Sequence, residues 1–245
     1  MSTVAGVSRS RTPYLLLLPG MAWLAVFFVI PLVSLLMQSL QTPLPGGLPG
    51  QFEQTFRFAN FVDVLSRTEF LGALGRSFFY ALLATVAALL IAYPLAYAIA
   101  LRAGRAKSIF LVLVVAPFFV SFVLRTIAWR QILGAEGPVV TTLQALHVVP
   151  ANFSIYPSSF AVIAGLTYNF LPFMTLPIYA SLDRMDTRLI EAAQDLYSSN
   201  WTAFRKVTLP ISMPGVVAGT LLTFIPASGD YINAQLLGKI GRAHV

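Results

Sequence analysis

Glu191-Ala192-Ala193-Gln194-Asp195-Leu196 is a short polar stretch between two strongly apolar segments, and it decides how the whole chain is interpreted. Together with Leu189, two residues before it, the stretch repeats small and apolar residues at helical spacing. These residues share one face of a helix: Leu189, Ala192, Ala193 and Leu196. The two alanines make the face shallow, and two acids flank it, Glu191 and Asp195. Such a face favours insertion of the helix into a groove on a partner protein.

A helix lying on the lipid surface is the alternative interpretation of this stretch. Such a helix needs a wide face of large apolar residues and many Lys or Arg residues opposite it. The segment from Leu189 to Leu196 offers two alanines and two acids instead. The pattern therefore favours docking on a protein over binding to lipid.

The composition is that of an integral membrane protein. Of the 245 residues, 57% are hydrophobic and only 10% are charged, whereas soluble domains contain about 25% charged residues. The net charge of +7 is spread over the short gaps between apolar segments, so no nucleic-acid partner is expected. The absence of cysteine excludes disulfides and thiol chemistry. His147 and His244 have no carboxylates at ligand spacing, so neither a metal nor a cofactor is expected.

Five stretches approach the roughly 20 apolar residues that a helix needs to cross the hydrocarbon. They are Tyr14–Met37, Phe78–Leu101, Ile109–Ile132, Phe160–Leu182 and Ile211–Ala227. We therefore predict an all-α membrane protein with five transmembrane helices, in a single domain over residues 1–245. The first stretch is too long for a cleaved signal and no small-x-small site follows it, so we predict a retained helix.

The distribution of basic residues predicts the orientation in the membrane. Nine of the sixteen Lys and Arg residues fall on one side of these spans, including those before the first span. The positive-inside rule therefore predicts a cytoplasmic N-terminus and a cytoplasmic loop at residues 183–210. On the other side, the loop Gln38–Arg76 is predicted to begin as a flexible segment and to contain a short surface helix from Phe58 to Leu74.

The cytoplasmic loop is predicted to form a helix–turn–helix elbow. Asp186 or Thr187 can cap the first helix. A second short helix is predicted from Ser199-Asn200 to Thr208, with Phe204 and Val207 facing inward and Pro210 ending it.

At this point the residues resemble a known family. Glu191-Ala192-Ala193, followed by Phe204, Val207, Leu209-Pro210 and Pro214-Gly215, resembles the "EAA" loop of binding-protein-dependent ABC importer permeases. The resemblance extends over most of the chain, and three further segments are similar to the spermidine/putrescine branch. These are Pro117-Phe118-Phe119 with Arg125-Thr126, residues 168–174, and residues 228–231 with Leu236-Leu237-Gly238.

The resemblance implies a permease subunit in a bacterial inner membrane that imports a small solute and has no catalytic activity of its own. The similarity to the spermidine/putrescine branch implies that this solute is a polyamine. It implies three partners: a cytoplasmic ATPase dimer, a second homologous permease and an extracytoplasmic solute-binding protein. The loop would dock into a cleft of the ATPase through Leu189, Glu191, Ala192, Ala193, Asp195 and Leu196.

The sequence departs from the family pattern in two places. Tyr197 stands where the family often has glycine, which can end a helix in a left-handed conformation without strain. Family members have a sixth span, which is missing here, and residues 239–245 are not apolar. This tail resembles a translated sequencing adapter, so we expect it to be non-native; the alternative is a genuine five-span protein.

Four polar or aromatic residues are candidates for the solute path. Tyr168 and Asn169 lie in the middle of a span that contains two prolines, so they are expected to face the path. Asn169 could instead bond a neighbouring helix. Asp230 and Tyr231 follow the fifth span and suit a cationic solute, although Asp230 could simply cap a turn. Arg125 is expected to extend to the outer interface or to pair with an acid.

A different solute is the main alternative, and two other classes of protein lack the features that they would need in this sequence. The solute could be an amino acid or an oxyanion, since the overall charge does not decide which solute is bound. An intramembrane enzyme would need paired acids or a histidine within a span, and none is present. An ion-coupled secondary transporter would need charges buried in mid-span and an internal repeat of the spans, and neither is visible.

Overall fold

The computed structural model describes residues 12–46, 48, 50–150, 152–195 and 199–238, without the side chains of residues 12–15. The predicted non-native tail at 239–245, Leu196 and Tyr197 lie outside these residues. The chain divides into two compact units, one up to Gly72 and one from Ala73 onward. The prediction of a single domain stays a prediction.

The first unit contains one long apolar helix followed by a small hairpin. Helix α1 (Thr12–Leu24) continues through a π-helical turn (Ala25–Val29) into α2 (Ile30–Ser39). Strands β1 (Gln41–Pro43) and β2 (Phe52–Gln54) pair antiparallel, with Gln41 opposite Gln54. The intervening loop reverses at Gly46 and Gly50, whose positive φ angles of 76° and 96° are available to glycine. Two paired strands therefore occur within the segment that the sequence predicts to begin as flexible.

A short helix closes the first unit. Helix α3 (Ala59–Leu65) ends before the next helix begins at Thr68, so the predicted helix from Phe58 to Leu74 is two helices. The Asn60 side chain donates to the carbonyl oxygens of Ser39 at 3.0 Å and of Gln41 at 2.9 Å. These bonds fasten α3 to the end of the long helix and to β1.

The remaining elements are helical. They are α4 (Thr68–Leu101), a 3₁₀ turn (Gly104–Ala106), α5 (Lys107–Val115), a 3₁₀ turn (Ala116–Phe119), α6 (Phe122–Leu133), α7 (Pro138–Ala145), α8 (Ser159–Asp183), α9 (Arg188–Asp195), α10 (Asn200–Ala203), a π-helical turn (Phe204–Thr208), α11 (Leu209–Ser228) and α12 (Tyr231–Leu237). Four described helices are long and apolar enough to span a membrane: Leu16–Ser39, Thr68–Leu101, Ser159–Asp183 and Asn200–Ser228. The predicted all-α membrane fold is confirmed.

The third predicted span differs from the structure. Instead of one helix over Ile109–Ile132, the segments Gly104–Phe119 and Phe122–Ala145 meet at an angle of 94°, and they count as a fifth span only when taken together. Val120 and Ser121 between them have extended backbone, with ψ angles of 138° and 136°. Pro117 has no backbone N–H to donate, which weakens the helix just before the break.

The core of the second unit is built on α8. Along α4, small residues at helical spacing are buried: Ala81, Ala84, Ala88, Ala92 and Ala96. They pack with large apolar residues of α8: Leu166, Phe170, Met174, Ile178 and Leu182. On α11, Gly215 approaches α8 so closely that a Cβ atom there would lie 2.5 Å from the Pro177 carbonyl oxygen. Small residues on α4 and α11 thus let both helices pack closely against α8, as is common in membrane bundles.

Gly215→Ala tests this close approach. We expect the added methyl group to force α11 away from Pro177 and Ser181, and to lower the free energy of unfolding by about 1–3 kcal/mol. Thermal unfolding of the purified protein in detergent measures the effect. Gly75→Ala on α4 is the matched control, because nothing lies within 4 Å of its added methyl group. Equal stability of the two variants would contradict this packing.

Candidate functional site

The predicted docking helix is present as α9, and its start is fixed by one of the two predicted caps. The Asp186 carboxylate accepts a hydrogen bond from the Arg188 backbone N–H at 3.0 Å. The Asp186 carbonyl oxygen accepts from the Leu189 N–H at 3.1 Å. Asp186 therefore satisfies two backbone donors of the first turn that would otherwise lack partners.

The predicted docking face is largely uncovered. Leu189 is 48% exposed, and Glu191, Ala192 and Asp195 are exposed as well. Ala193 is half-buried, like Ile190 one turn earlier. Because α9 packs against α10 and the following π-helical turn, this arrangement leaves Leu189 and Ala192 available to another molecule.

The second half of the predicted elbow is continuous with a membrane helix. The prediction that Pro210 ends the helix is wrong, since the helix continues from Asn200 to Ser228. The Leu209 N–H donates to the Phe204 carbonyl oxygen, five residues back, across the π-helical turn. This wider turn lets the helix pass through Pro210, which has no N–H to donate.

Polar bonds hold α9 against the start of this long helix. The Gln194 side chain donates to the Asn200 side-chain oxygen at 2.8 Å. The Ser199 hydroxyl accepts from the Thr202 N–H at 3.2 Å and caps α10. The Gln194–Asn200 bond therefore links the two helices of the loop.

Aromatic rings connect the loop to the membrane helices. Trp201, which is 69% exposed, stacks on Phe204 with ring centroids 5.5 Å apart. Phe204 meets the edges of Tyr93 at 5.8 Å and Tyr97 at 6.2 Å on α4, and the Tyr93 and Ser212 hydroxyl groups are 2.8 Å apart. We call Trp201, Phe204, Tyr93 and Tyr97 the aromatic column. The inward position predicted for Phe204 is confirmed, and the other three rings were missed, although the i, i+4 spacing of Tyr93 and Tyr97 was visible.

An ion pair joins two membrane helices close to the loop. Lys107, at the start of α5, pairs with Asp183, the last residue of α8. Lys107 also lies 5.8 Å from the centre of the Tyr179 ring. The pair fixes α5 to α8 just before the chain enters the loop, and sequence analysis did not identify it.

Asn169 lies inside a buried polar cluster of three helices. Its side-chain amide donates to the Thr126 hydroxyl and to the Asn233 side-chain oxygen, each at 3.4 Å. Thr126 and Asn233 are fully buried and bond to each other at 3.3 Å. These contacts join α6, α8 and α12, as the inter-helix alternative for Asn169 predicts.

Tyr168 points away from this cluster. It is half-buried, with its ring 5.5 Å from that of Trp129. It lines an apolar cavity of about 390 Å³ together with residues of α4 and α8, including Ile91, Ile163 and Leu171. The structure therefore does not place Tyr168 and Asn169 on one surface.

Asp230 and Tyr231 line another cavity. This cavity, of about 250 Å³, also contains Arg76, Tyr80 and Ser228 in its wall. The Asp230 carboxylate accepts from the Asn233 N–H at 3.0 Å and from the Asn233 side-chain amide at 2.6 Å, so it also caps α12. Asp230 thus has the capping role named as its alternative, and it still lies in a cavity with two tyrosines. Neither Tyr168 nor Asn169 lines this cavity.

No metal site is evident in the described part of the chain, since no three of its His, Asp and Glu residues are grouped as ligands.

Comparisons with known proteins find a membrane-transport family and relatives within it. A family model described as the inner membrane component of binding-protein-dependent transport systems matches residues 70–243. The spermidine/putrescine permease PotB of Haemophilus influenzae is 39% identical over 156 residues, covering 64% of this chain and 54% of that protein. The Escherichia coli PotB is 32% identical over 216 residues, covering 88% and 77%. The chain thus spans about half of the first relative's length and about three quarters of the second's.

The fold is also similar to that of a solved transporter. A chain of a bacterial alginate ABC transporter, crystallised with a periplasmic protein bound to an alginate pentasaccharide, aligns with a TM-score of 0.70. The alignment covers 94% of this chain and 77% of the other, at 19% identity, which supports the fold alone. The resemblance stated from the sequence is confirmed by the family match and the PotB relatives.

Asn233→Ala tests the buried polar cluster. The change leaves the amide donor of Asn169 without one of its acceptors in a buried site, so we expect a loss of about 1–3 kcal/mol in the free energy of unfolding. Gln235→Ala on the same helix is the control, because its side chain is exposed. Thermal unfolding in detergent compares the two variants. A cluster of no structural importance would give equal melting temperatures.

Proposed function

Because the chain belongs to the family of binding-protein-dependent transport system inner membrane components, we propose that it is one permease subunit of an ATP-driven importer and that its solute is a polyamine. The observation that carries the importer proposal is the uncovered face of α9 on a loop packed against a membrane helix. The polyamine proposal is supported by the two PotB relatives, whose names give spermidine and putrescine as solutes.

In this proposal the chain hydrolyses no ATP and α9 is its link to the subunit that does. Leu189 and Ala192 enter a groove on a cytoplasmic ATPase dimer, and Glu191 and Asp195 contact the rim of that groove. The shallow face limits the depth of insertion, so a bulky residue at Ala192 would not fit. A face of this kind is typical of helices that bind in grooves.

The aromatic column passes the movement of α9 to the membrane. A displacement of α9 moves α10 through the Gln194–Asn200 bond and then moves Phe204. Because Phe204 contacts Tyr93 and Tyr97, α4 must move with it or lose these ring contacts. The long helix Asn200–Ser228 moves as one piece, because no break separates the loop from α11.

The remaining partners are part of the proposal and are supported by the family match. A second, homologous permease completes the path, and an extracytoplasmic solute-binding protein delivers the solute. The multi-pass location in the inner membrane is supported by the family and by the apolar helices. The cytoplasmic N-terminus is supported by the concentration of basic residues on the side of the α9 loop.

The cavity at Asp230 is the proposed entry site for the polyamine. A carboxylate and the rings of Tyr80 and Tyr231 suit an alkylammonium group. Arg76 in the same wall would instead suit a carboxylate or oxyanion, which keeps an amino acid or an oxyanion as the second candidate solute. Asp230 and Arg76 can therefore be used to distinguish the two solute classes.

Glu191→Lys tests the docking proposal. We expect solute-stimulated ATPase activity and uptake by the reconstituted complex to fall at least about tenfold, equivalent to ~1.4 kcal/mol of coupling, while the helix content stays the same. Glu53→Lys, on exposed strand β2, is the control for the change in charge. Unchanged coupling in the Glu191 variant would contradict the role given to α9.

Asp230→Asn tests the solute site while retaining a side chain that can cap α12. Removing the charge should raise the KM for spermidine about two- to fivefold at constant kcat, because a half-buried ion pair contributes up to about 1 kcal/mol. Uptake of labelled spermidine by proteoliposomes measures this, with Glu136→Gln as the control. A lower KM, or an unchanged one, would contradict polyamine binding at Asp230.

A further inference from the structure

The buried guanidinium group of Arg125 has no anionic partner among the described residues. The side chain is only 8% exposed, although Arg125 lies on α6 just after the bend in the third span. Its Nε and Nη1 atoms are buried and have no hydrogen-bond partner in the described part of the chain. The group lies over the rings of Phe118 at 5.6 Å and Phe122 at 5.7 Å. Of the two outcomes expected from the sequence, pairing with an acid does not occur among the described residues, and little of the side chain is exposed.

The acids of the second unit are engaged elsewhere or exposed. Asp183 pairs with Lys107, Asp186 binds the N-terminus of α9, and Asp230 caps α12. The other three are exposed: Glu136, Glu191 and Asp195. Neither of the two ion pairs in the described part of the chain includes Arg125.

Two aromatic rings do not compensate for burying this charge. Each cation–π contact is worth about 0.5–2 kcal/mol, whereas an unpaired charge in a low-dielectric interior costs several kcal/mol or more. Buried charges in proteins are accordingly paired or bound to ions. The site therefore lacks an anion.

The proposed cargo is cationic, so it would be repelled by Arg125 and cannot be that anion. Lipid hydrocarbon cannot neutralise a charge either. A lipid phosphate is the other anion available to a membrane protein, and the crosslinking experiment below separates it from a protein partner. Beside Arg125, Phe119 is 89% and Leu124 is 60% exposed, so this part of the bend is uncovered. A protein surface placed there could supply both apolar cover and a carboxylate.

We infer that the bend of the third span is an interface with the second permease subunit and that this subunit supplies a carboxylate to Arg125. The inference rests on the proposed function, because it needs a second permease beside this chain. The face of the bend contacts the sibling subunit through Phe119 and Leu124. The carboxylate binds the guanidinium group through Nη2, since Nε and Nη1 are buried.

The first experiment compares Arg125→Met and Arg130→Met in the intact importer complex. Removing one partner of a buried ion pair leaves the other uncompensated, so Arg125→Met should reduce the sibling permease retained on purification about tenfold or more and should lower the melting temperature. Arg125→Lys should restore part of both. Arg130, which is exposed on the same helix, is the control. If Arg125 has no anionic partner in the complex, Arg125→Met will raise the melting temperature or leave it unchanged, and the inference fails.

The second experiment identifies the neighbour while Arg125 stays intact. A photo-crosslinking benzoylphenylalanine at Leu124 should attach to the sibling permease in the intact complex, and mass spectrometry should place the adduct near an Asp or Glu residue. Adducts with lipid, with the binding protein or with this chain alone would overturn the inference. ATPase retention by the Glu191→Lys variant is measured in parallel, so failure of this interface and failure of the docking proposal give separate results.

Discussion

Phe204 is the point at which the polar loop and the apolar bundle meet, and the proposed activity depends on that contact. Its ring stacks with Trp201 on the loop side and meets Tyr93 and Tyr97 edge-on on the membrane side. The same residue begins the π-helical turn that carries the helix through Pro210. The Phe204 side chain and the π-helical turn thus join the loop to the last long helix, so we expect the two to move together.

In the membrane-spanning part of the bundle, polar groups have no water to bind. Backbone and side-chain polar groups must find partners inside the protein, which explains the bonds among Thr126, Asn169 and Asn233. Helices cannot be drawn together by the hydrophobic effect within lipid, so close contact through Gly215 and the alanines of α4 replaces it. Arg125 is the exception to this rule, and for that reason it indicates a neighbouring subunit.

The sequence predicted the membrane fold, four of the long helices and α9, because hydrophobic length and helical spacing are local properties. It failed where the outcome depends on three-dimensional context. The bend after Pro117 and the continuous helix at Pro210 both involve proline, yet only the surrounding backbone decides between a break and a π-helical turn. Similarly, the pattern showed that Asn169 and Asp230 are unusual, but it could not show that both bond to Asn233.

The most direct measurement is the protection of position 192 by the ATPase. The chain has no cysteine, so a single Ala192→Cys variant can be labelled with a maleimide in the complete complex and after removal of the ATPase. If α9 docks through its shallow face, labelling will be fast without the ATPase and strongly suppressed in its presence, whereas a cysteine at exposed Glu136 will react equally in both. Equal labelling of position 192 in both states would contradict the account.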